Sequence, residues 1–200
     1  MSRPKVKEII STVKLELPPT IPVSEDQFFD FCQINRDLRI ERNINGDLLI
    51  MSPTGGKTGR RNFTLIRLLG RLEDTNSGWI GFDSSTGFRL PNGAIRSPDV
   101  AFLRKERWES LTLEEQEKFI PLCPDFVIEL RSASDSLTDL KEKMQEYISN
   151  GSSLGWLIDP LERKVYSYTS EQEICFVNPT SISAAPLIPD FVLQLVDLWS

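Results

Sequence analysis

The chain contains no histidine. This absence excludes Ser-His-Asp and Cys-His triads, HNH-type and zincin sites, and histidine-ligated haem. Any metal it holds must rest mainly on carboxylates, backbone carbonyls and water, a ligand set suited to Mg²⁺, Mn²⁺ or Ca²⁺. Cysteine is scarce as well. Cys32, Cys123 and Cys175 are an odd number, far apart, among apolar neighbours and never in a CxxC pair. The expectation is buried, reduced thiols in a cytoplasmic protein, with no structural zinc. Long apolar runs are missing, so no membrane span is expected. The N-terminal MSRPKVKEII is basic but lacks the apolar core and cleavage site of a secretory signal.

What is present suits one α/β domain. Its 200 residues are 40% hydrophobic, enough for a sizeable core, and no linker divides them. Residues 1–20, ending in Pro18-Pro19, read as a flexible arm, and 21–200 as a single domain. Ser24-Glu25-Asp26-Gln27 is a capping box opening a helix through about Gln33. Arg39–Arg42 and Asp47–Ser52 flank Asn45-Gly46 as a hairpin. A helix is predicted from about Arg60 to Leu72, with Phe63, Ile66, Leu69 and Leu72 at helical spacing. GWIGF, STGFRL and SPDVAFL read as strands, and 113–119 as a short charged helix. DFVIELR is apolar enough for a central strand buried on both faces. An amphipathic helix over 137–150 follows, then LGWLIDP and KVYSY as strands, with EICFVNP and DFVLQLVDLW completing the sheet edge. The order predicts a mixed sheet flanked by helices rather than a regular βαβ alternation.

Candidate chemistry collects at three places. Glu129 interrupts the apolar strand Phe126-Val127-Ile128-Glu129-Leu130, where an ionised carboxylate costs several kcal/mol unless a cation or hydrogen bonds offset it. Asp99 opens the strand Ser97-Pro98-Asp99-Val100-Ala101-Phe102. Alone it is as readily a turn residue, but paired with Glu129 it could hold one Mg²⁺. The helix after Glu129 carries Lys141 and Lys143 at opposite borders of its buried stripe, and spacing does not choose between them. Lys57, Arg60, Arg61 and Arg67 lie on or beside the earlier helix and could contact DNA phosphates. The net charge of −6 weighs against a nucleic-acid partner, although a local basic patch can coexist with an acidic remainder.

Four blocks, IMSPTGGKTGRRN, GFDSSTGFRLPNGAIRSPDVAF, FIPLCPDFVIELRSASDSLTDLKEKMQEYISNG and LGWLIDP, occur in that order. Over about residues 20–200 the chain resembles the Uma-type restriction endonuclease family of the PD-(D/E)XK nuclease superfamily. The resemblance implies a restriction-endonuclease-like α/β fold and DNA endonuclease activity dependent on Mg²⁺ or Mn²⁺. Its motif aspartate falls on Asp99 and its motif glutamate on Glu129, both as metal ligands. The lysine expected two residues after the glutamate is Arg131, which cannot act as a base and would neutralise phosphate or structure the site. The pattern D-L-x-x-K-x-x-x-Y falls on Asp139, Leu140, Lys143 and Tyr147, favouring Lys143 over Lys141. Ala133 and Asp190 depart from the family's common proline and glycine. Glu41 is a further candidate ligand. DNA is the expected partner, and cutting both strands with so small a domain suits a homodimer. The alternative is an inactive member of the same fold that binds DNA or protein.

Overall fold

The computed structural model describes residues 12–17, 23–75 and 78–199. In chain order they form β1 (Thr12–Leu15), α1 (Glu25–Ile34), β2 (Arg39–Arg42), β3 (Leu48–Met51) and α2 (Gly56–Thr75). There follow β4 (Trp79–Asp83), β5 (Phe88–Arg89), β6 (Ile95–Arg96), β7 (Val100–Arg104), α3 (Lys105–Glu109) and α4 (Leu113–Glu117). The rest comprises β8 (Phe126–Leu130), α5 (Leu137–Ser149), β9 (Leu154–Asp159), β10 (Lys164–Tyr168), β11 (Glu173–Val177), β12 (Ser181–Ser183), β13 (Val192–Gln194) and a 3₁₀ turn, Val196–Leu198. No described helix is long and apolar enough to cross a membrane.

A mixed sheet ordered β11-β10-β9-β8-β7-β4 carries the core. Its centre is β8, antiparallel to β7 and parallel to β9, with all five residues buried. Because successive side chains alternate between faces, β8 divides its apolar load. Phe126, Ile128 and Leu130 pack with Leu65, Leu69 and Leu72 of α2 and with the β12–β13 hairpin. Val127 packs on the other face with Met144 and Tyr147 of α5. Burying each such side chain contributes about 1.5–3 kcal/mol. Gly155 of β9 lets α5 come close, since a Cβ there would strike the tip of Met144. A second sheet, ordered β1-β3-β2-β6-β5, stands beside the first, and its β2–β3 hairpin turns at Gly46, whose φ of +86° favours glycine. Ser24 and Gln27 form the predicted capping box of α1.

Several elements differ from the sequence reading. Thr12–Leu15, expected within the arm, pairs antiparallel with β3, while residues 1–11 and 18–20 lie outside the described residues. The buried ridge of α2 is Leu65-Leu69-Leu72; Phe63 is 72% exposed and Ile66 41%. Only Cys123 is buried; Cys32 is half-buried, Cys175 exposed, and all three are free. β11 forms the sheet edge as expected, but β13 pairs with β12 in a separate hairpin. The short β6 and α3 carry too few residues for a periodic signal.

Candidate active site

Backbone register brings the two expected carboxylates together. β7 and β8 pair Val100 with Ile128, so one residue further along the same register Asp99 stands opposite Glu129. Directly opposed residues share a face, with Cβ atoms about 4.5–5.5 Å apart. That face is the one α5 covers, since Ala101, Leu103 and Val127 belong to the α5 side of the core. Pro98 has no N–H to extend the ladder, and the Asp99 carboxylate closes it: Oδ2 accepts the Leu130 N–H at 2.9 Å. Arg39 of β2 donates to Oδ1 at 3.3 Å. Asp99 is 9% exposed and Glu129 3%.

Lys143 of α5 spans two carboxylates, 2.8 Å from Glu129 Oε1 and 2.8 Å from Glu41 Oε1. Glu41, on β2, is itself buried and also accepts the Ser97 N–H at 3.0 Å and Arg96 Nη1 at 3.2 Å. Arg96 of β6 turns its Nε to Glu146 of α5 at 2.6 Å, and Asn92 holds the other Glu146 oxygen at 3.0 Å. The Tyr147 hydroxyl donates to Glu129 Oε1 at 3.1 Å. Four carboxylates (Glu41, Asp99, Glu129, Glu146) thus face three cations (Arg39, Arg96, Lys143), an excess of one negative charge.

That deficit falls unevenly. Burial opposes charge on both Glu41 and Glu129, yet Lys143, Arg96 and Arg39 outweigh it at Glu41 and hold its carboxyl down at about 2. At Glu129 burial prevails, Asp99 and Glu41 add to it, and Lys143 and Arg39 do not compensate; its carboxyl is pushed up to about 7. Burial lowers the Lys143 ammonium, but Glu129 and Glu41 together raise it above its ordinary value, so it remains a proton donor. No donor among the described residues reaches Glu129 Oε2, which leaves that oxygen for another cation. Among the described residues no three His, Cys, Asp or Glu side chains form a ready metal cage. Asp99 and Glu129 supply two carboxylates, the number that Mg²⁺ commonly takes alongside water.

The other expected residues fall elsewhere. Arg131, which the same register sets beside Asp159 of β9, donates to Asp159 Oδ2 at 2.7 Å, and Asp159 is wholly buried. Lys141 pairs with Glu173 at 2.7 Å and lies over the Tyr166 ring, away from the carboxylates. Lys57, Arg60 and Arg67 are exposed and Arg61 is half-buried, all on α2. Arg67 reaches Asp197 at 3.5 Å. Since α2 packs on the sheet face opposite Glu129, these cations are not part of the carboxylate cluster. Sequence reasoning did not find Arg39, Arg96 or Glu146. The one local signal is the i, i+2 spacing of Arg39 and Glu41, which places both on the same face of β2.

Residues 25–196 match the model of the Uma2 family, described as "Putative restriction endonuclease". A crystal structure titled as a putative nuclease belonging to DUF820, from Anabaena variabilis ATCC 29413, superposes with a TM-score of 0.68. The likeness covers 89% of this chain and 98% of that one at 20% sequence identity, and so shows a shared fold. No curated protein matches. With 25–196 matched and the fold in agreement, this chain belongs to the Uma2 family of restriction-endonuclease-like proteins.

Proposed function

We propose that the chain is a divalent-metal-dependent DNA endonuclease. The observation that carries this reading is the Asp99–Glu129 pair: two opposed, desolvated carboxylates, one carrying an oxygen without a donor among the described residues, in a cluster short of positive charge. Asp99 and Glu129 would hold Mg²⁺ or Mn²⁺. A cation so held lowers the pKa of an attacking water and stabilises charge on the scissile phosphate. Lys143 keeps its proton, so its part is to donate a hydrogen bond to water or phosphate rather than to act as base. Glu41, fixed by the Ser97 N–H and Arg96, holds the Lys143 ammonium jointly with Glu129. Arg131 is engaged by Asp159, and its part is to brace the ends of β8 and β9 beneath the site. Lys57, Arg60, Arg61 and Arg67 on α2 would meet DNA phosphates outside the cleavage centre.

The competing reading is a binding module of the same fold without turnover. The ion pairs that already neutralise much of the cluster favour it. Incubating the purified chain with plasmid and linear DNA in Mg²⁺ or Mn²⁺ separates the two. Endonuclease action predicts cleavage that falls by about 10²-fold or more in Asp99→Asn and Glu129→Gln. Binding with no cleavage on any substrate supports the module.

A further inference from the structure

Asp99 and Glu129 do not present themselves to a cation in the same way. Lys143 and Tyr147 both crowd Oε1 of Glu129 and leave Oε2 without a protein donor among the described residues. Both oxygens of Asp99 are taken, Oδ2 by the Leu130 N–H and Oδ1 by Arg39. The Leu130 bond ties the Asp99 carboxylate to the buried backbone of β8. The Arg39 contact is of another kind. At 3.3 Å it is longer than the 2.7–2.9 Å of a strong charge-assisted bond, and longer than the 2.7 Å that binds Arg131 to Asp159. Arg39 also gives Nη2 to the Ser97 carbonyl, while its Nε is enclosed with no acceptor among the described residues. A guanidinium has five donors and is rarely buried with one unmet. The arginine is therefore anchored at the Ser97 carbonyl, but its contact with Asp99 is long and its Nε lacks an acceptor among the described residues.

We propose that Arg39 is a positioning residue that occupies Asp99 in place of a cation and passes to a substrate phosphate when a divalent ion binds. The inference rests on the two-carboxylate reading of the preceding subsection and names the residue that couples cation to substrate within it. A guanidinium and a divalent ion on one carboxylate oxygen repel each other, so Arg39 and the ion compete for Oδ1. The released guanidinium, planar and forked, matches two oxygens of a phosphodiester, and its Nε supplies the donor that now has no partner. Cation binding then creates the phosphate site, and neither ligand is held well without the other.

The test is a Mn²⁺ titration of the full chain without DNA, with free Mn²⁺ read by electron paramagnetic resonance, for wild type, Arg39→Gln and Asp99→Asn. Arg39→Gln should bind Mn²⁺ about tenfold more tightly than wild type. In Ca²⁺ and a short DNA duplex, the same variant should bind DNA more weakly, and its log affinity against log salt should lose about one unit of slope. Unchanged or weaker Mn²⁺ affinity in Arg39→Gln, with binding abolished in Asp99→Asn, overturns the role of Arg39 and leaves the cation site standing. Tighter Mn²⁺ binding with unaltered DNA affinity and slope overturns it too. No Mn²⁺ binding by wild type removes both the cation site and the role built on it. If circular dichroism shows Arg39→Gln unfolded, the Arg39 Nε–H resonance of ¹⁵N-labelled wild type decides: movement on adding Mg²⁺ supports the exchange, and a fixed resonance overturns it.

Discussion

At the scale of the residue, the two glutamates of the cluster show how neighbours rather than burial alone set charge. Both are buried, but Glu41 touches two cations and Glu129 one. Their effects on stability therefore run in opposite senses. Glu41, held near 2 against an ordinary 4.5, contributes stability above about pH 4.5 that is lost as pH falls toward 2. Glu129, raised to about 7, keeps a proton in the native chain that the unfolded chain has released, so native stability without metal falls as pH rises from 4.5 through 7. Urea melts in chelator at pH 5 and pH 8 should show wild type losing stability relative to Glu129→Gln over that interval. Parallel losses would contradict the assignment. Arg131 gives a second residue-scale expectation. Arg131→Met removes the ion-pair partner of the buried Asp159, and should cost about 3 kcal/mol in denaturant without altering Mn²⁺ affinity. A stable variant with weakened Mn²⁺ or DNA binding would instead return Arg131 to the site.

At the scale of the element, the strands that hold the carboxylates were legible and one helix was misphased. DFVIELR reads as a buried central strand because no polar residue but Glu129 interrupts it, and β8 is buried throughout. The α5 helix was legible from its apolar spacing; the structure adds its N-cap, Ser136, which accepts the Asp139 N–H. In α2, two apolar stripes compete. Leu65-Leu69-Leu72 and Phe63-Ile66 differ by about a third of a turn, and only the core behind the helix decides which turns inward. The exposed Phe63 lies within one helical turn of Arg60 and Arg67, which strengthens α2 as a surface for a partner. Charge reversal at Lys57 and Arg60 together should weaken DNA binding and reduce its salt slope by about two, as measured by fluorescence anisotropy, while Mn²⁺ affinity stays unchanged. An unchanged slope would remove α2 from the DNA surface.

At the scale of the whole molecule, the carboxylate cluster lies where strands of the two sheets meet α5. Asp99 and Glu129 belong to the end of the larger sheet, Glu41 and Arg96 to the smaller one, and Lys143 and Glu146 to the helix. Glu129 could be read from the sequence as a charge within an apolar strand, whereas Asp99, alone as readily a turn residue, gained its place only through pairing with Glu129 and through the family motif. Of the cations around them, Lys143 was a candidate through the family pattern, but Arg39 and Arg96 were not. Arg39 is 60 positions from Asp99 and Arg96 is 55 from Glu41, and no periodicity spans such gaps. The chain's net charge of −6 gave no sign of this compensation, because the cluster accounts for only one excess negative charge. The most direct measurement is an anomalous difference map from crystals soaked in Mn²⁺. The account predicts one peak about 2.1 Å from an oxygen of Asp99 and of Glu129, with the Arg39 guanidinium moved off Asp99. Full ion pairing at both carboxylates, with no peak between them at saturating Mn²⁺, would contradict it.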